Sequence, residues 1–220
     1  MNDDKNNENI EELGIPNSSK IPNDIQFLTI IGEIEGHTIC PPQKKTTKYE
    51  HIIPLLISVM ENPDIKGLFV ILNTVGGDVE AGLALAEMIN SINKPKVSLV
   101  LGGGHSIGVP LATATDYSFI VPTATMTIHP IRTSGLVIGV PQTFRYFEKM
   151  QQRIIDFIVR TSSIKKGELK KLMYATDEIA NDIGTILVGQ EAVDYGIINE
   201  VGGFDKALSK LRTLIKEGLN

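Results

Sequence analysis

Two apolar runs rich in branched residues, Gly67-Leu-Phe-Val-Ile-Leu72 and Lys96-Val-Ser-Leu-Val-Leu101, each end in a glycine segment that hands the chain to a helical pattern. Nothing else in the chain limits its fold as tightly. Such runs suit strands covered on both faces, and strands of that kind belong to parallel sheets crossed by helices. After the first run, Asp78 is placed to cap a helix over 79–92 with Leu83, Ala86, Ile89 and Ile92 on its apolar side. After the second, Gly102-Gly-Gly104 leads to a helix of small residues starting near Ser106, where Pro110 is tolerated only close to the first turn. Strand and helix alternate from about 50 to 117, which predicts an α/β fold of parallel crossover units.

The flanks are read with the same rules. Residues 27–31 predict a strand, 33–48 a long polar loop through Pro41-Pro42, and 49–60 a helix. Short strands are expected at 118–121 and 126–128, and helices at 166–175 and 191–195, the last stopped by Gly196. A long amphipathic helix is predicted over 144–161, with Phe147, Met150, Ile154 and Phe157 along one stripe. Residues 1–24 are polar and acidic, with Pro16 and Pro22, and read as a flexible tail. The remainder, 25–220, is expected to form one domain, because no repeat or linker divides it.

A net charge of −5 with scattered basic residues argues against nucleic acid as a partner. The start of the chain is acidic and Asn-rich, unlike a signal peptide, and no apolar run approaches the ~20 residues of a membrane span. Cys40 is the only cysteine, so no internal disulfide forms and a reducing, cytoplasmic setting is expected. No glycine turn frames that thiol, which reads as incidental. No cofactor and no metal is expected.

Chemistry concentrates at Ser106. A serine hydroxyl needs an imidazole to take its proton and backbone N–H groups to hold the oxyanion. His129, in Thr125-Met-Thr-Ile-His-Pro130, is the only histidine downstream of that serine. His105 is adjacent to Ser106 and competes for the role, but successive side chains diverge, so His129 is preferred. The segment Asn73-Thr-Val-Gly-Gly-Asp78 offers backbone donors at Gly76 and Gly77. Gly104-His-Ser-Ile-Gly108 also fits the nucleophile elbow of α/β-hydrolases. Those enzymes run serine, acid, histidine, and Asp116 is the only acid between Ser106 and His129, so that reading fails on order. A carboxylate to hold the imidazole is sought at Asp177 or Asp182.

Four segments in this order resemble the Clp proteolytic subunit (ClpP-like) serine peptidases over about residues 26 to 205: 73–77, 104–108, 126–130 and 189–198. The overall pattern looks closest to the translocation-enhancing branch of that family. The resemblance implies an α/β ClpP/crotonase-like spiral of ββα units with a protruding handle helix at 144–161, a protomer contact in a homo-oligomeric ring. It implies Ser106 as nucleophile and His129 as general base. Gly77 and Ile107 would donate to the oxyanion, with Gly76 beside them, and peptide or unfolded protein would be the substrate. The chain departs from the family in four places, the first being a serine-to-histidine interval shorter by about two residues. His105 and Ile107 replace smaller or more flexible neighbours of the nucleophile. The family's acid motif is missing, and an ungapped match puts Ala180 where its aspartate belongs, leaving Asp182 as the preferred acid over Asp177. The N-terminal segment does not resemble the loops that engage an unfoldase, which argues against an ATPase partner.

Two other classes of function fit parts of the pattern. A ClpP-fold binding or assembly protein would explain the missing acid motif. A crotonase-type acyl-CoA hydratase or isomerase would use the same glycine-turn oxyanion hole, but has no need of a Ser–His pair. The peptidase reading leads.

Overall fold

The computed structural model describes residues 24–132, 138–177 and 183–218. The expected tail at 1–24 lies almost wholly outside them. Within them the chain forms a mixed α/β fold. Strands β1 (Ile25–Glu35), β2 (Thr46–Lys48), β3 (Gly67–Gly77), β4 (Lys96–Gly104), β5 (Tyr117–Ile120) and β8 (Glu200–Val201) lie in the order β2-β1-β3-β4-β5-β8, each pair parallel. Strand β6 (Thr125–Ile128) leaves this path, touching β4 at Gly103↔Thr125 and pairing antiparallel with β7 (Thr185–Val188). Helices α1 (Tyr49–Glu61), α2 (Val79–Ser91), α3 (Gly108–Thr113), α4 (Val140–Thr161), α5 (Lys166–Met173), α6 (Gln190–Asp194) and α7 (Phe204–Glu217) complete it.

The central strands are covered on both faces, as their composition predicts. Along β3, Leu68, Val70 and Leu72 enter the larger core with α1, α2 and α3, while Phe69 points to the other side. That second face is closed by Ala207 and Leu211 of α7, with Leu208, Leu214 and Ile215 packed against them. Asp78 caps α2 as expected, accepting the Ala81 N–H at 2.8 Å.

Three differences from the sequence reading have local causes. The loop expected over 33–48 is shorter, because β1 continues past a bulge at Gly32 to Glu35 and pairs there with β2. Thr47 Oγ1 bonds both Ile31 N–H and Ile31 C=O, which the polar composition of this stretch concealed. Strands β7 and β8, four and two residues long, were not anticipated, because each is fixed by its pairing with a distant segment, β6 and β5. Helix α4 starts earlier than predicted, after Gly139. Its C-terminal half buries Met150, Ile154, Ile155, Phe157 and Ile158, whereas Val140, Phe144 and Tyr146 are exposed. Arg153 and Arg160 pin the buried half to Glu80 and Glu87 of α2.

Asp116 lies at the opposite end of β4 from Ser106. It accepts the Lys96 N–H at 2.8 Å and pairs with Lys96 Nζ at 2.8 Å, while that ammonium also donates to Ile92 C=O at 2.9 Å. Lys96 is buried, so its charge depends on these partners. Lys96→Met is expected to destabilise the fold by about 2–3 kcal/mol, less than a fully buried pair because the Asp116 side chain is 29% exposed. Urea unfolding with an unchanged m-value checks it.

Candidate active site

The glycine segments ending β3 and β4 are tied to each other where the two strands separate. Their register shifts between Leu72 and Thr74, and Asn73 Oδ1 fills the gap by accepting the Gly103 N–H at 3.0 Å. Thr74 C=O accepts the His105 N–H at 3.2 Å, and Thr74 Oγ1 donates to Gly32 C=O at 2.6 Å. The turn after β4 then closes with Gly108 N–H on His105 C=O and Val109 N–H on Ser106 C=O.

Ser106 occupies the apex of that turn at φ +56°, the one non-glycine with positive φ among the described residues. Left-handed backbone at such a residue costs on the order of 1–2 kcal/mol, and it lifts the side chain clear of the turn. Gly76 is what makes room. A Cβ there would lie 2.7 Å from Ser106 Cβ. Its own N–H is engaged with Thr74 Oγ1 at 3.0 Å. Ile107 N–H, by contrast, has no acceptor among the described residues.

His129 leaves the end of β6. Its Nδ1 lies 2.7 Å from Pro130 C=O, and since a carbonyl only accepts, that contact makes Nδ1 the donor and leaves the lone pair on Nε2. That is the tautomer a general base needs. Gly77, Ser106, Ile107 and His129 line one cleft of about 220 Å³, walled by Val75, Val79, Val109, Ile154 and Ile158. Arg132 stands at the same cleft.

His105 points elsewhere. Its Nδ1 lies 3.1 Å from Thr127 N and 2.8 Å from Thr127 Oγ1, and its Nε2 has a long 3.5 Å contact with Thr125 Oγ1. Burial, then the charge of His129, lowers its pKa below the ordinary 6.5. Asp177 is exposed just beyond α5, and Asp182 lies outside the described residues. Among the described residues, no group of three or more His, Cys, Asp or Glu is placed to hold a metal ion, and no helix is long and apolar enough to cross a membrane. Thr74, Asn73 and Thr127 were not anticipated. As lone polar residues in or beside strands, they carry no signal until the strands are placed.

A parallel sheet whose β3 and β4 ends present a glycine turn and a left-handed serine, with a histidine from the end of β6 at the same cleft, is what the resemblance to the Clp protease family implies. The profile of that family, Clp protease, matches residues 26–204, and the chain belongs to it. It is similar to the translocation-enhancing protein TepA of Halalkalibacterium halodurans, with 56% identity over 211 residues, 96% of this chain and 82% of TepA. More distant similarity is found to the ATP-dependent Clp protease proteolytic subunit of Streptococcus sanguinis, 27% identical over 68% of this chain and 76% of that subunit. The proteolytic subunit 1 of Protochlamydia amoebophila is 25% identical over 62% of this chain and 65% of its own length.

Proposed function

We propose that this chain is a serine peptidase acting on peptides or unfolded protein segments, without an ATPase partner, in a process linked to protein export. The observation that carries the reading is the convergence of Ser106, His129, Gly77 and Ile107 on one cleft, with Ser106 held in left-handed backbone. Ser106 Oγ attacks the peptide carbonyl carbon while His129 Nε2 takes the hydroxyl proton. The N–H groups of Gly77 and Ile107 hold the oxyanion. Collapse of the adduct breaks the C–N bond, and His129 returns the proton to the leaving amine. Water activated by His129 then releases the acyl group. Asp182 is the proposed acid, which would take over the Nδ1 proton that Pro130 C=O accepts in this structure. His105, whose Nδ1 is turned to Thr127, is left out of the proton transfer. The link to export rests on the name of the translocation-enhancing relative. The exposed start of α4, with Val140, Phe144 and Tyr146, is the proposed contact between copies in a homo-oligomer.

Fluorophosphonate labelling followed by intact mass tests the reading. One adduct is expected on the wild type and none on Ser106→Ala or His129→Ala. No adduct on folded, assembled wild-type protein would favour a binding protein of the same fold. An adduct that persists in His129→Ala would mean a different base.

A further inference from the structure

The mechanism gives His105 no part in proton transfer, yet its ring is engaged by Thr127. That one residue receives both halves of the nucleophile turn. Its C=O accepts the Ser106 N–H at 2.8 Å, and its N–H donates to His105 Nδ1 at 3.1 Å. Backbone pairing between β4 and β6 is confined to Gly103↔Thr125. Beyond that point His105 sends its own N–H to Thr74 C=O of β3. The imidazole therefore supplies the acceptor that a neighbouring strand carbonyl would otherwise provide. Thr127 is two residues from His129, on the same side of the strand by its period of two.

We propose that His105 is a positioning residue, which through Thr127 holds strand β6, and with it the His129 imidazole, in register with Ser106. The proposal rests on the reading of Ser106 and His129 as nucleophile and base. It also constrains protonation. A nitrogen that accepts the Thr127 N–H must keep its lone pair, so His105 is neutral with its proton on Nε2. A second proton would set donor against donor and loosen β6. The groups facing the ring are Thr125 and Thr127 of β6, Thr74 of β3 and the Gly103 backbone of β4. The titratable group whose charge acts on it is His129.

The test uses the full chain with His105→Ala and His105→Asn. Asparagine Oδ1 takes the place of Nδ1 as acceptor and has no proton to titrate; alanine leaves the Thr127 N–H without one. With a fluorophosphonate probe, His105→Ala is expected to lower the saturating rate of Ser106 labelling about 10²-fold, with little change in the half-saturating concentration. His105→Asn is expected to recover most of that rate. It should also lose activity toward acid pH through one protonation, that of His129, where the wild type loses it through two. Hydrogen exchange at the Thr127 amide is expected to quicken about tenfold or more in His105→Ala and to stay near wild type in His105→Asn. Equal labelling of wild type and His105→Ala overturns the proposal, as does equal slowing of the two variants. A wild type that takes no adduct defeats the peptidase reading and with it the positioning of a base. Normal Thr127 exchange in His105→Ala defeats the tether itself.

Discussion

Alanine at His129 is expected to lower peptide hydrolysis by about 10⁴-fold or more, and adding Ser106→Ala to it is expected to change the residual rate by less than about tenfold. In the proposed mechanism the two side chains act as one device. Without the imidazole, the Ser106 hydroxyl is a poor nucleophile at neutral pH. Without the hydroxyl, the imidazole has no proton to take. On the proposed mechanism, what survives in either variant is binding plus the N–H groups of Gly77 and Ile107. The measurement is turnover of a fluorogenic peptide by the two single variants and the double variant, each shown to be folded. Strictly multiplicative losses would mean that the two residues contribute independently, which the shared cleft does not predict.

Gly77→Ala is expected to damage both fold and activity. Gly77 has φ +152°, and a Cβ there would lie 2.2 Å from Ile34 C=O and 2.6 Å from Ile34 N. Both are backbone atoms of the paired strand β1, at the register Ile34↔Gly77, so neither swings aside as a side chain would. Conformational strain and overpacking together are expected to cost roughly 3–5 kcal/mol. If Gly77 is the oxyanion donor proposed above, its loss is expected to lower kcat by a further ~10²–10³-fold. Gly167→Ala is the matched control, because a Cβ at that position in α5 meets nothing within 4 Å. It is expected to stabilise the protein by about 0.5–1 kcal/mol, as alanine usually does in a helix. Thermal unfolding of both variants, with peptide turnover on the folded fraction, separates the two effects.

The path from residues to fold was open where a signal was long. Gly67–Leu72 and Lys96–Leu101 announce buried strands through unbroken apolar runs, and Asp78 announces α2 because capping is chemistry between residues three apart. Helix α4 showed its buried stripe in the same way, though periodicity did not say that the stripe meets the core only in its C-terminal half. Strands β2, β7 and β8 were silent, each being fixed by its pairing with β1, β6 or β5 and not by a period of its own.

For the site, the sequence alone determined the chemical types and their order. A serine in a glycine turn, one later histidine and an earlier glycine pair narrow the chemistry because few residues perform it. Only the tertiary structure decided what those residues touch. Gly76 was placed beside Gly77 as a possible backbone donor; its N–H was then found on Thr74 Oγ1, and its missing Cβ was found to clear space for Ser106. His105 was a rival base until its ring was found turned to Thr127. Both outcomes depend on where β3, β4 and β6 bring their backbone N–H and C=O groups. That placement follows from sheet pairing between distant segments, and each hydrogen-bonding group must then find a partner where it lies.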